Sequence, residues 1–130
     1  MDATGDWLVR LAGIHSLGFA LFHLAFWTLF RWKGELARVG FATRAITQIL
    51  NLRLIYLFLG IGAACFAFTG ELQHSALGRA VLAFMALFWV GRTIEQFVFL
   101  RRHHWLLHLL TALFVLGALL FALPLGLSSL

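Results

Sequence analysis

The chain has 130 residues, 62% of them hydrophobic and 12% charged, with a mean hydropathy of +0.95. Soluble domains carry about 25% charged residues, so a soluble globular protein of this size is excluded and a polytopic membrane protein is expected. The formal charge of +5 fits basic residues flanking membrane spans better than a nucleic-acid footprint, and no nucleic-acid partner is expected.

The length allows one transmembrane domain over residues 1–130. The pattern predicts an all-α, antiparallel four-helix transmembrane bundle with helices at about 7–30, 46–68, 77–100 and 105–125. The first segment, Trp7 to Phe30, is preceded by Asp2 and Asp6 rather than by a basic leader, and no small-x-small cleavage site follows it. It is therefore expected to remain as a helix. It carries His15 and His23, and a stripe of Ala12, Ser16 and Ala20 that would let a neighbouring helix approach closely.

The first connection, RWKGELARVGFATRA from Arg31 to Ala45, is flanked by Trp27 and Trp32 and punctuated by Gly34 and Gly40. Segment two opens with Arg44, Gln48 and Asn51 on one helical face, then spans from Leu52 to Phe68, with Gly60 and Ala64 as a candidate close contact. The short connection TGELQHSA offers Ser75 as an N-cap. Segment three places Arg92, Glu95 and Gln96 within an otherwise apolar run, Leu77 to Leu100. Arg101 to His104 form a tight third connection, His108 lies one turn into segment four, and Pro124 is expected to end that helix. The lone cysteine, Cys65, excludes an intrachain disulfide and reads as a small buried residue.

Lys and Arg are distributed unevenly. Connections one and three hold Arg31, Lys33, Arg38, Arg44, Arg53, Arg101 and Arg102, whereas the N-terminus and connection two hold Arg10 and Arg79. The positive-inside rule then places connections one and three in the cytoplasm and both termini outside it, in a bacterial inner membrane. This topology brings His23, Gln48, Asn51, Arg92, Glu95 and His108 to one depth in the cytoplasmic half. In hydrocarbon such groups must satisfy each other, so a buried, inward-facing polar cluster is expected.

Arg92 and Glu95, at i and i+3, can pair on one face, either as a packing lock or as a proton- or substrate-handling pair. His104 and His108, at i and i+4, can bind a transition metal with His23 as a third nitrogen. His23 and His108 can also serve as axial ligands of a b-type haem. Nucleophilic catalysis has little support: the serines lie in no GxSxG context and no phosphate-binding glycine loop is present.

The stretches ATRAITQILNLRLIYLFLG and FWVGRTIEQFVF resemble small bacterial four-helix membrane proteins to which no activity is attached. The likeness implies the four-span fold and nothing about chemistry. In size the chain is similar to small multidrug resistance transporters, but their essential acid lies in the first helix, where this chain has none. The leading expectation is a non-enzymatic accessory or assembly subunit that contacts the lipid bilayer and forms a homo-oligomer or joins a larger membrane complex. The alternatives are a haem- or metal-binding membrane protein and a small proton-coupled transporter using Glu95 and Arg92.

Overall fold

The computed structural model describes residues 3–128. About 90% of the structure is helical, and no strand occurs among the described residues. The elements are α1 (Ala3–Leu24), α2 (Phe26–Leu29), α3 (Trp32–Glu35), a 3₁₀ turn (Leu36–Arg38), α4 (Phe41–Ala67), α5 (Thr69–His74), α6 (Ala76–Phe99) and α7 (Trp105–Ser128). Four of them, α1, α4, α6 and α7, are long and apolar enough to cross a membrane. Their sequences are rich in Leu, Ala and Phe, and the chain's one proline lies near the end of α7, so nothing interrupts the first three long helices.

The helix ends differ from the sequence expectation where local backbone geometry intervenes. α1 stops at Leu24 rather than near Phe30, and the chain turns at Ala25. Arg31 then adopts a left-handed conformation (φ 52°, ψ 47°) that separates α2 from α3. After the extended Val39 and Gly40, α4 starts at Phe41, so the amphipathic lead-in and the span are one continuous helix of 27 residues. The second connection contains a helix of its own, α5, with Thr69, Leu72 and Gln73 buried. Pro124 does not terminate α7. It lies inside the helix, which runs on to Ser128.

The chain divides into two compact units, Gly13–Ala64 and the remainder, the latter joining the start of α1 to Cys65 and everything after it. In the first unit α1 and α4 run antiparallel. Contacts progress from Gly62, whose Hα side faces the Leu17 side chain and the Gly13 carbonyl, through Phe19 against Phe58, to His23 against Asn51 and Trp27 against Gln48. The expected Gly60 contact is absent, since a Cβ there would meet nothing within 4 Å. The small-residue stripe is buried at Ala12, Ser16 and Ala20.

In the second unit α6 and α7 form an antiparallel hairpin. Arg79 reaches Leu125, Trp89 stacks on Phe114 at 5.6 Å, and Gln96 reaches Leu107. The buried face of α6 carries Leu82, Met85, Ala86, Trp89 and Gln96. α5 packs against both helices. At its junction with α6, Ser75 Oγ accepts from the Gly78 amide at 2.9 Å and so caps α6. Gly78 is needed there because a Cβ would overlap the Glu71 carbonyl and the Leu72 backbone.

Candidate functional site

The six residues expected to form a polar cluster fall in both units, three in each. In the first unit, Asn51 is 4% exposed and grips His23 twice. His23 Nδ1 donates to Asn51 Oδ1 at 2.7 Å, and Asn51 Nδ2 donates to the His23 carbonyl at 2.9 Å. That carbonyl belongs to the last turn of α1, where backbone acceptors lose their helical donors. Asn51 therefore acts as a side-chain cap for α1. The imidazole packs among Phe22, Phe26 and Phe58, with ring centroids 6.0, 4.2 and 5.4 Å away.

One helical turn away, Trp27 Nε1 donates to Gln48 Oε1 at 2.9 Å, and Gln48 Nε2 donates to the Arg44 carbonyl at 3.1 Å. These bonds use both ends of the Gln48 amide. A cavity of about 440 Å³ beside it is lined by Trp27, Trp32, Lys33, Arg44 and Gln48. The Arg44 guanidinium is tied loosely to the Leu36 and Val39 carbonyls, at 3.4 and 3.5 Å.

In the second unit, the placement departs from the expectation. Arg92 is half-buried, but Glu95 and His108 are exposed. Arg92 stands over the ring of Phe114, 4.5 Å from its centroid, in a cation–π contact. The Glu95 charge acts on the Arg92 guanidinium, but no contact of salt-bridge length joins the two among the described residues. The exposure of Glu95 has an angular reason. Leu82, Trp89 and Gln96 recur every seven residues on the buried face, and Glu95, one residue before Gln96, lies about 100° round the helix from it. Glu95 is thus turned out of the α6–α7 seam. His108 instead neighbours His103, with ring centroids 5.6 Å apart.

His104 also has another role. It lies just before α7, and its Nδ1 accepts from the Leu106 amide at 3.1 Å. It caps the helix instead of pairing with His108 from a shared helical face. Among the described residues no group of three or more His, Cys, Asp or Glu is placed to hold a metal ion. His23, the third nitrogen expected with His104 and His108, is bonded through its Nδ1 to Asn51 within its own unit.

Two buried polar features lie outside the expected cluster. Gln96 is only 2% exposed. Its Nε2 donates to the Leu107 carbonyl at 3.1 Å, while its Oε1 is buried without a hydrogen-bond partner among the described residues. The seven-residue repeat with Leu82 and Trp89 was the signal that could have placed it inside. The second feature joins residues far apart in sequence. Gln73, 1% exposed, donates to Asp6 Oδ1 at 2.6 Å and to the Thr69 carbonyl at 3.0 Å. Arg79 donates to the Gln73 carbonyl at 3.1 Å and to the Leu125 carbonyl at 3.0 Å. One guanidinium thereby caps the C-terminal ends of α5 and α7, where carbonyls lack helical donors and a cation is favoured.

Comparison with protein-family models, with curated proteins and with solved structures finds no match. Chemically, the His23–Asn51 and Gln73–Asp6–Arg79 arrangements are mutually satisfied and capping. They fix helix ends, and they do not present a nucleophile with an adjacent base.

Proposed function

We propose that the chain is a four-span integral membrane protein without catalytic activity of its own, serving as an accessory or assembly subunit of a larger membrane complex. The observation that carries this reading is the apolar exterior of its long helices. No more than 39% of any candidate span is buried within the chain. Side chains such as Phe41, Tyr56, Leu77, Phe84, Leu87, Phe99 and Trp105 are largely exposed. Water cannot cover this much contiguous apolar surface, so lipid or a partner must. The polar groups that are bonded mainly cap helix ends, which supports a packing role over a chemical one. The Arg92–Glu95 pair, from which a proton-coupled transport reading would start, has its carboxylate on the exposed side of α6.

In this reading the protein sits in a bacterial inner membrane. Connections one and three face the cytoplasm, and both termini lie outside. The test is purification from native membranes in a mild detergent, followed by sizing and identification of co-purifying chains. A stoichiometric partner or a defined homo-oligomer is expected. Recovery as a lone monomer from native membranes, under several detergents, overturns the subunit reading.

A further inference from the structure

The α6–α7 turn encloses a cleft of about 350 Å³, within the range of about 300–1,000 Å³ usual for small-molecule sites. Its walls include Arg101, Arg102, His103 and His108, with Thr111 and Gln96 at the inner end. The Arg102 amide donates to the Leu100 carbonyl at 3.0 Å, but neither the Arg101 nor the Arg102 guanidinium has a hydrogen-bond or ion-pair partner among the described residues. The inner end is held rigidly. Gln96 Nε2 and Thr111 Oγ1 both donate to the Leu107 carbonyl, at 3.1 and 2.9 Å. That anchoring fixes the Gln96 amide and leaves Oε1, buried and unpartnered, as an acceptor in want of a donor.

Two free guanidiniums and two imidazoles ask for an anion, and planar guanidinium forks suit phosphate. An orphan amide oxygen asks for a hydroxyl, since a buried acceptor left unmet has lost its water without a replacement. We propose that this cleft binds a phosphate group carrying a free hydroxyl, presented by a lipid headgroup or by a soluble phosphate ester. Arg101 and Arg102 hold the phosphate, His103 and His108 add donors, and the hydroxyl satisfies Gln96 at the inner end. The cavity beside Trp27 is the weaker site, because Arg44 there already has two carbonyl acceptors.

The lipid source rests on the membrane reading above. The test uses full-length protein extracted from membranes and native mass spectrometry of its lipid adducts. Phosphatidylglycerol is compared with phosphatidylethanol, an anionic phosphodiester lacking the headgroup hydroxyl, and with phosphatidylcholine. Phosphatidylglycerol should bind about tenfold more tightly than phosphatidylethanol, the equivalent of one well-made hydrogen bond to a buried acceptor. The double substitution Arg101→Gln with Arg102→Gln should weaken it by about tenfold or more. Lys33→Gln with Arg38→Gln, which removes the same charge elsewhere, should change it by less than about twofold.

Gln96→Leu should abolish the preference for phosphatidylglycerol over phosphatidylethanol. Should that variant not fold, the wild-type comparison of the two lipids decides the hydroxyl claim. Displacement of phosphatidylglycerol by glycerol 1-phosphate assigns the soluble source, and retention of the lipid in its presence assigns the headgroup; either supports the shared chemistry. Equal binding of the two anionic lipids, or equal loss from both double substitutions, overturns the proposal. A chain that fractionates away from membranes would instead sink the four-span reading, which is a separate result.

Discussion

At the scale of single residues, Asn51 is the side chain with the most to lose. It is buried, and both ends of its amide bond to His23. Replacing it with Leu removes both bonds and strands the His23 carbonyl and imidazole N–H in an apolar setting among three phenylalanines. Each stranded group costs about 1–3 kcal/mol, so Asn51→Leu should lower stability by roughly 2–4 kcal/mol. Thermal unfolding in detergent measures this, and an unchanged midpoint would show that water already serves both groups. Gln48→Leu removes a half-buried amide and should cost less. Arg31 presents the opposite case. Its φ of 52° is a left-handed conformation that costs an L-residue about 1–2 kcal/mol and a glycine almost nothing. Arg31→Gly should therefore raise the unfolding midpoint or leave it unchanged, despite the loss of a charge.

At the scale of elements, the junction of α5 with α6 and α7 depends on two residues that no local pattern singles out. Gly78 lets the first turn of α6 lie against the α5 backbone, and the obstructing atoms are backbone atoms that cannot rotate away. Gly78→Ala should destabilise by about 1–3 kcal/mol, the usual cost of overpacking, although alanine is the better helix former. Gly60→Ala is the control, because its Cβ would enter open space; it should be neutral or mildly stabilising. Arg79 bonds the terminal carbonyls of α5 and α7 together. Arg79→Lys keeps the charge but has no planar fork to span two acceptors. It should recover little of the loss caused by Arg79→Ala, roughly 1.5–3 kcal/mol for hydrogen bonds from a charged group. Full recovery by lysine would make Arg79 a point charge rather than a bridge. The same contrast explains what could be read in advance. Long apolar runs without proline announce α1, α4, α6 and α7. The short helices α2, α3 and α5 depend on a left-handed residue and on distant caps. The Gln73–Asp6 bond joins residues that no sequence window sees together.

At the scale of the whole molecule, polar residues could be found in the sequence, but the face they occupy could not be read from charge alone. His23 and Asn51 meet as their shared depth suggested. Glu95 does not turn inward, because the apolar seven-residue repeat sets the seam and places Gln96 there instead. The overall topology rests on a charge asymmetry that is independent of these contacts, and it can be checked without disturbing any of them. Cys65, the one cysteine, is 1% exposed and should resist thiol reagents in the folded protein; Cys65→Ser removes it from the background. Gly34, in connection one, and Gly70, in connection two, would both point an added side chain into open space, so a cysteine at either position should be tolerated. With seven basic residues flanking one side of the spans and two the other, Gly34→Cys should face the cytoplasm and Gly70→Cys the outside. A membrane-impermeant maleimide applied to intact cells should label Gly70→Cys at once and Gly34→Cys only after permeabilisation. The reverse pattern would invert the orientation and move the α6–α7 cleft to the outer face. Equal labelling of both positions in intact cells would mean that connections one and two share a side, which no arrangement with α4 spanning the membrane between them permits.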